Sequence, residues 1–392
     1  MNIKKILSVF LCAVLCVCMA LLMTSCNINS KSASGKKTGP VTAEEYKHIS
    51  AEELLERYVR KQKKVSLNEY TALLSTLSFA KISDNLELED NITSRALQDL
   101  TNQGSKLPND KSVIKALIES KSPQVRGFAV TLTGALPDEK GHLNMLKNAV
   151  KSEKDPYVLK CALETLTYGD EYDKETGDFI IKMASHENAV VRLNAVYALG
   201  NKNSVSVKGA VDAIINCMSD KDPAVRKAAY KFSGELHDEK VIEPIVRMLN
   251  NPDEAEYHAF GLLALTTMWY DYPDHANTSE AAYKATLNYY KTAKRSENTP
   301  SDSVISVLIE KNTETYDSWK EKASYFSAEE LTSAMSDIAL DSAVSWRARV
   351  AALKVIKTHG TKADLKALKA PLDAMNDEHS EPVKTEYGKL LK

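Results

Sequence analysis

Few residues in this 392-residue chain are equipped for chemistry, and they are scattered. One local cluster stands out. The stretch "YDYPDHANTSE", residues 270–280, brings Asp271, Asp274 and His275 close together. These are metal-ligand types, but their spacing matches no defined site, and a solvated loop satisfies all three without a metal. There is no glycine-rich phosphate loop, G-x-S-x-G elbow, H-E-x-x-H pair or P-loop lysine. Cys161 and Cys217 each lie beside apolar neighbours in helical text, so they read as buried thiols rather than a disulfide. No catalytic set, cofactor site or metal site is expected. The charged residue that does recur is arginine, at Arg126, Arg192, Arg226 and Arg347.

The segments carrying these arginines explain the recurrence. "SPQVRGFAVTLTGAL", "DPYVLKCALETLTYG", "NAVVRLNAVYALGN" and "DPAVRKAAYKFSGEL" align on Val125, Val158, Val191 and Val225, which stand 33, 33 and 34 residues apart. Ser, Asp or Asn precedes each segment as a helix cap, three times with proline in the first turn after it or directly following the cap. A small residue returns at Ala129, Ala162, Ala195 and Ala229, where two helices must approach closely. Between these segments lie second stretches of helical apolar spacing, such as "DFIIKMAS" and "AVDAIINCMS". The unit is therefore helix, short turn, helix. One such hairpin cannot bury its apolar face alone, and a stack of them can. The expected architecture is all-α, an α-solenoid of stacked antiparallel helix pairs.

The D-P-x-V-R-x-x-A series followed by A-L-G, as in "VRLNAVYALG", resembles HEAT repeats, most closely the short variety also seen in phycobilisome lyase-type proteins. Tetratricopeptide and ankyrin signatures are absent. The resemblance is strongest over residues 110–237. It weakens across 238–268, where Glu256 falls at the arginine position, and returns in "SAVSWRARVAALKVI", where Trp346-Arg347 stand for Val-Arg. It implies that the arginines are structural, bonding acidic or carbonyl groups of a neighbouring repeat, although they could also line a groove. Leu159 interrupts the series, so one junction must manage without an arginine.

The first residues belong to a different class of signal. "MNIKKILSVFLCAVLCVCMALLMTSC" has a basic start, an apolar run over 11–22 and small residues before Cys26. That run suits a signal peptide better than a full membrane span. "MTSC" resembles the lipobox of bacterial lipoproteins, with Met23 in place of the usual leucine. The resemblance implies that Cys26 becomes the lipid-bearing mature N-terminus, holding the chain outside the cytoplasm by a lipid anchor in the bacterial cell membrane. An uncleaved anchor over 6–23 is the alternative.

The organisation read from the sequence is a signal peptide at 1–25, a flexible tether at 26–43, divergent capping helices at 44–109, regular repeats at 110–268 and irregular helical repeats with a cap at 269–392. A net charge of −2 gives no electrostatic footprint for nucleic acid. Two functional classes remain open. One is a non-catalytic interaction scaffold for an unknown protein or peptide. The other is an enzyme akin to the lyase-type relatives. Trp269, Tyr270 and Tyr272 are candidate partner-binding residues, because the register breaks there and aromatic residues are enriched at interfaces. The same rings could serve a glycan-binding accessory protein, or they could fill the core of larger, irregular helices.

Overall fold

The computed structural model describes residues 67–392 apart from 90–91, 103–106, 108–110, 135–138, 168–171 and 202–203. Cys26 and the expected signal, tether and first capping helix lie outside the described residues. The described chain is helical throughout. Its β-type pairing is limited to the isolated bridges Ile82 with Leu88 and Ser296 with Thr299. Among the described residues no helix is long and apolar enough to cross a membrane.

Two leading helices, α1 (Leu67–Leu77) and α2 (Ile92–Asn102), pack around Tyr70, Leu73, Leu77, Leu97 and Leu100. The repeats follow as pairs. These are α3 (Lys111–Ile118) with α4 (Pro123–Gly134), α5 (Glu139–Val150) with α6 (Pro156–Thr167), and α7 (Lys174–Met183) with α8 (Ala189–Leu199). Then come α9 (Ala210–Cys217) with α10 (Pro223–Phe232) and α11 (Ile242–Leu249) with α12 (Ala255–Trp269).

The second helices from α4 to α10 start where their caps stand. Asn188 accepts from the amides of Val190 and Val191, Asp222 from those of Ala224 and Val225, and Asp155 from Tyr157 and Val158. A cap of this kind is worth about 1 kcal/mol. The second helices pack against one another in sequence, α4 on α6, α6 on α8, α8 on α10 and α10 on α12. Ala129, Ala162, Ala195 and Ala229 are each 0% exposed on that seam, where a larger side chain would force the helices apart. At Gly234 backbone meets backbone, since an added Cβ would fall 2.4 Å from the carbonyl oxygen of Ala264 on α12. One continuous core then takes in Leu86 and runs from Val130 to Tyr387.

Beyond α12 the pairing becomes irregular. A loop containing the cis Tyr272–Pro273 bond leads into α13 (Glu280–Thr292). Short α14 (Asp302–Val307) and α15 (Thr313–Lys322) precede a tightly packed pair, α16 (Ala328–Leu340) and α17 (Trp346–His359). The chain closes with α18 (Lys362–Ala367), α19 (Lys369–Ala374) and α20 (Ser380–Leu390), the last lying against α17.

Candidate functional site

The recurring arginine stands four residues after its cap, one turn into the helix. From there its guanidinium reaches two ways. Arg192 grips the Asp220 carboxylate of the next repeat through Nε and Nη2 at 2.7 and 2.8 Å. Its Nη1 donates to the His186 and Glu187 carbonyls of its own loop at 2.8 and 2.9 Å. Arg126 does the same with Glu153, at 2.7 and 3.1 Å, and with the carbonyls of Ser120 and Lys121. The carboxylates also order their own loops. Glu153 accepts from the amides of Lys154 and Asp155, and Asp220 accepts from that of Asp222. Burial pushes both carboxyls up, but the guanidinium and the backbone amides outweigh it and hold them below the usual carboxylate range. The arrangement is a clamp between consecutive repeats, bidentate and mostly buried.

Further along, the clamp changes chemistry and keeps its place. Arg226 donates to the Tyr257 hydroxyl at 2.8 and 3.2 Å and to the Asp220 carbonyl at 2.6 Å. In the next repeat the position aligned by sequence was Glu256, which is exposed. The contacts belong instead to His258, which meets the Tyr289 hydroxyl and the Asn251 carbonyl, both at 3.1 Å.

Arg347 also needs correcting. Its side chain is exposed and lies over the Trp346 ring, 5.5 Å from its centroid. The clamp there is Arg349, 0% exposed, which holds Asp377 at 2.9 and 3.4 Å and donates to the Ala339 carbonyl. Ser345 caps that helix, and the fourth residue after it is 349. The cap-to-arginine spacing, rather than the Val-Arg dipeptide, was the signal that could have found it.

The junction at Leu159 lacks both members of the clamp. Leu159 is buried, and the carboxylate's place before the next cap is taken by His186, whose Nδ1 accepts from the Asn188 amide. A recess of about 250 Å³ opens here between α5, α6 and α7, lined by Leu159 among other apolar residues. The equivalent recess one repeat on, about 340 Å³, contains Arg192 and Asp220.

The aromatic candidates divide. Trp269 and Tyr270 are each 0% exposed, so neither can touch a partner, and that expectation is overturned. Their apolar area fills the gap left by the irregular helices. Their polar atoms are satisfied inside, with Trp269 Nε1 donating to Thr286 Oγ1 at 3.2 Å and the Tyr270 hydroxyl to the Glu310 carbonyl at 2.6 Å. Trp319 donates in turn to the Trp269 and Asn277 carbonyls. Tyr272 alone of the three is exposed, at 44%. His275 is buried beside the Tyr270 ring, with the Asn312 amide donating to its Nε2. It therefore does not face solvent with Asp271 and Asp274. Among the described residues no three His, Cys, Asp or Glu side chains are gathered as a metal set. Cys161 and Cys217 are buried free thiols, pushed up to about 12 and about 11 by burial, which suppresses the reactive thiolate.

Comparison with known proteins gives a family match over part of the chain. No curated protein matches. Among solved structures, an X-ray structure of the Escherichia coli protein YibA is 13% identical, covering 84% of this chain and 98% of that one, with a TM-score of 0.38. An engineered protein is 16% identical, covering 87% and 98%, with a TM-score of 0.32. Residues 177–264, from within α7 to within α12, match the family model for HEAT repeats.

Proposed function

We propose that the chain is a membrane-anchored, extracytoplasmic HEAT-repeat lipoprotein that binds a partner protein or peptide and makes or breaks no bonds. The observation that carries this reading is the stack itself. Its arginines and carboxylates are spent on one another between repeats, at Arg126 with Glu153 and Arg192 with Asp220. The chemistry-bearing residues thus build the scaffold, and stacked repeats offer an extended surface for recognition. The "MTSC" motif supports lipidation at Cys26, and a diacylglyceryl group carries the two acyl chains that stable anchoring needs. The glycan reading is weaker than the protein-binding one, because two of its three aromatic rings are core.

Two measurements test this reading. Intact mass of protein extracted from membranes should show loss of residues 1–25 and a lipid on Cys26. Cys26→Ala should leave the chain unprocessed, and an unmodified Cys26 in the wild type would refute the anchor. Cross-linking on intact cells followed by mass spectrometry should place partner cross-links on residues 110–268. Cross-links confined to other parts of the chain would sink the scaffold reading.

A further inference from the structure

The two neighbouring recesses are the same slot in consecutive repeats. Leu159 takes the place of Arg192, Phe179 that of Ala213, Lys182 that of Asn216 and Met183 that of Cys217. The later slot is the roomier of the two, about 340 Å³, but it is lined by a guanidinium and a carboxylate that satisfy each other. The earlier one is walled by Leu146, Val150, Leu159, Leu166, Phe179 and Met183. An apolar cavity of about 150 Å³ is enough to hold benzene. A recess of about 250 Å³ with this lining has room for one large apolar side chain.

The rim adds a charge. Glu153 is engaged by Arg126, and Asp178 by Lys174. Lys147 pairs with Asp173 and Glu175, and Lys151 shares Glu175 at 3.3 Å. Lys182 is exposed on the same rim, with no carboxylate of the described residues within 4.0 Å. The slot therefore pairs an apolar floor with one cation, Lys182, that has no ion-pair partner among the described residues. Adjacent slots repeat at helix-packing distance, roughly 10 Å, which is about three residues of extended chain. A segment lying in one slot is carried on towards the other.

We propose that the Leu159 slot is a recognition pocket for an extended segment of the partner protein, taking a large apolar side chain whose neighbouring residue is acidic and faces Lys182. This rests on the scaffold reading above and specifies what that scaffold recognises. The Leu159–His186 pair is then the site where the inter-repeat clamp has been given up, which leaves the slot an apolar floor in place of a polar one.

The test uses the protein purified from membranes and reconstituted in lipid nanodiscs, without detergent that could fill the slot. The probes are three blocked tetrapeptides, Gly-Phe-Glu-Gly, Gly-Phe-Gln-Gly and Gly-Ala-Glu-Gly. The first two carry 4-fluorophenylalanine for fluorine NMR titration, and the third acts as a competitor. The Phe-Glu peptide should bind saturably. The Gln peptide should bind up to about fivefold more weakly, the range of an exposed ion pair. The Ala peptide should compete more than tenfold less well than unlabelled Phe-Glu. Leu159→Arg with His186→Asp rebuilds the clamp seen at Arg192 and Asp220. It should keep or raise the thermal midpoint and abolish binding. Lys182→Glu, an exposed change, should remove the preference for Glu over Gln. Absence of saturable binding by the wild type, undiminished binding by a folded rebuilt variant, or an unchanged Glu preference in Lys182→Glu would each overturn the proposal. Should the rebuilt variant not fold, the Lys182→Glu result decides alone. Partner cross-links on 110–268 without peptide binding would retain the scaffold and discard the pocket. Peptide binding without any partner cross-links would do the reverse.

Discussion

The regular repeats and the segment after α12 solve the same stacking problem with different materials. Between α4 and α10 two junctions, at Arg126 and Arg192, are locked by guanidinium forks on carboxylates, and the seam throughout is kept thin by alanine. From α12 to α17 the lock is aromatic. Trp269 and Trp319 lie with ring centroids 6.1 Å apart, Tyr270 and Tyr316 flank Trp319, and His359 joins the Tyr316 hydroxyl to the Leu308 carbonyl. A charged clamp tolerates a fixed period, because it needs only one turn of helix and one loop carboxylate. An aromatic block fills whatever volume irregular helices leave, and its rings are consumed in doing so. The two slots stay open between the regular repeats, whereas the rings of the irregular segment spend their surface on one another.

The comparison can be broken most forcefully at its aromatic end. Trp319→Ala removes a ring that is 0% exposed and its two hydrogen bonds, and should cost about 3–5 kcal/mol in chemical denaturation. A loss under about 1 kcal/mol would mean that the block is not the local core. A smaller but still large effect should follow Arg192→Met, which leaves the mostly buried Asp220 carboxylate without its cation. About 3 kcal/mol is expected, the low end for breaking a buried pair. Converting both partners, Arg192→Leu with Asp220→His, copies the Leu159 junction and should recover most of that loss, to within about 1 kcal/mol of wild type. No recovery would show that the Leu159 junction is held by something other than the paired replacement.

Acid should separate the two regions by pH window. Burial holds the His359 imidazole down to about 4, with the Leu308 carbonyl opposing and Lys311 reinforcing it, and burial also lowers His275. Both rings fold neutral. Above the unfolded value of about 6.5 they contribute no pH dependence. Below it the unfolded chain takes up protons that the fold refuses, so stability falls down to about pH 4, by about 3 kcal/mol for His359 at 1.36 kcal/mol per unit. The clamp carboxylates lose stability in the same direction but in a lower pH window. Glu153, Asp220 and Asp377 are held below their ordinary values, so their contribution is intact above about pH 4 and is lost only as the pH falls further. Denaturation midpoints from pH 8 to 3 should show the first decline, and His359→Gln should flatten most of it. A full slope in that variant would place the titrating group elsewhere.

The smallest expected effect belongs to Arg347→Ala, within about 0.5 kcal/mol, since that side chain is exposed and rests only on the Trp346 ring. Arg349→Ala in the same helix should cost several times more, because Asp377 and the Ala339 carbonyl lose their buried donor. Equal costs would return the clamp to Arg347.

The fold class was written in the sequence by itself. Caps, a 33-residue period and small residues at one repeated position are local and additive, and a stack of near-identical units adds no long-range choice that the period does not already contain. The break at Leu159 was equally legible, because it is a departure from a pattern. That His186 replaces the acid at the same junction was not. The two stand 27 residues apart, and only the stacking of one loop on the next helix brings their positions together. The same holds for Arg349 against Arg347 and for His258 against Glu256. Side-chain direction in a helix turns by about 100° per residue, so a shift of two reverses inside and outside. Trp269 and Tyr270 carried the largest signal in the C-terminal third, and their role could not be read from type alone. Large aromatics serve cores and interfaces equally, and burial by Trp319, Phe326 and Tyr283, all contributed from beyond the loop, decided between them.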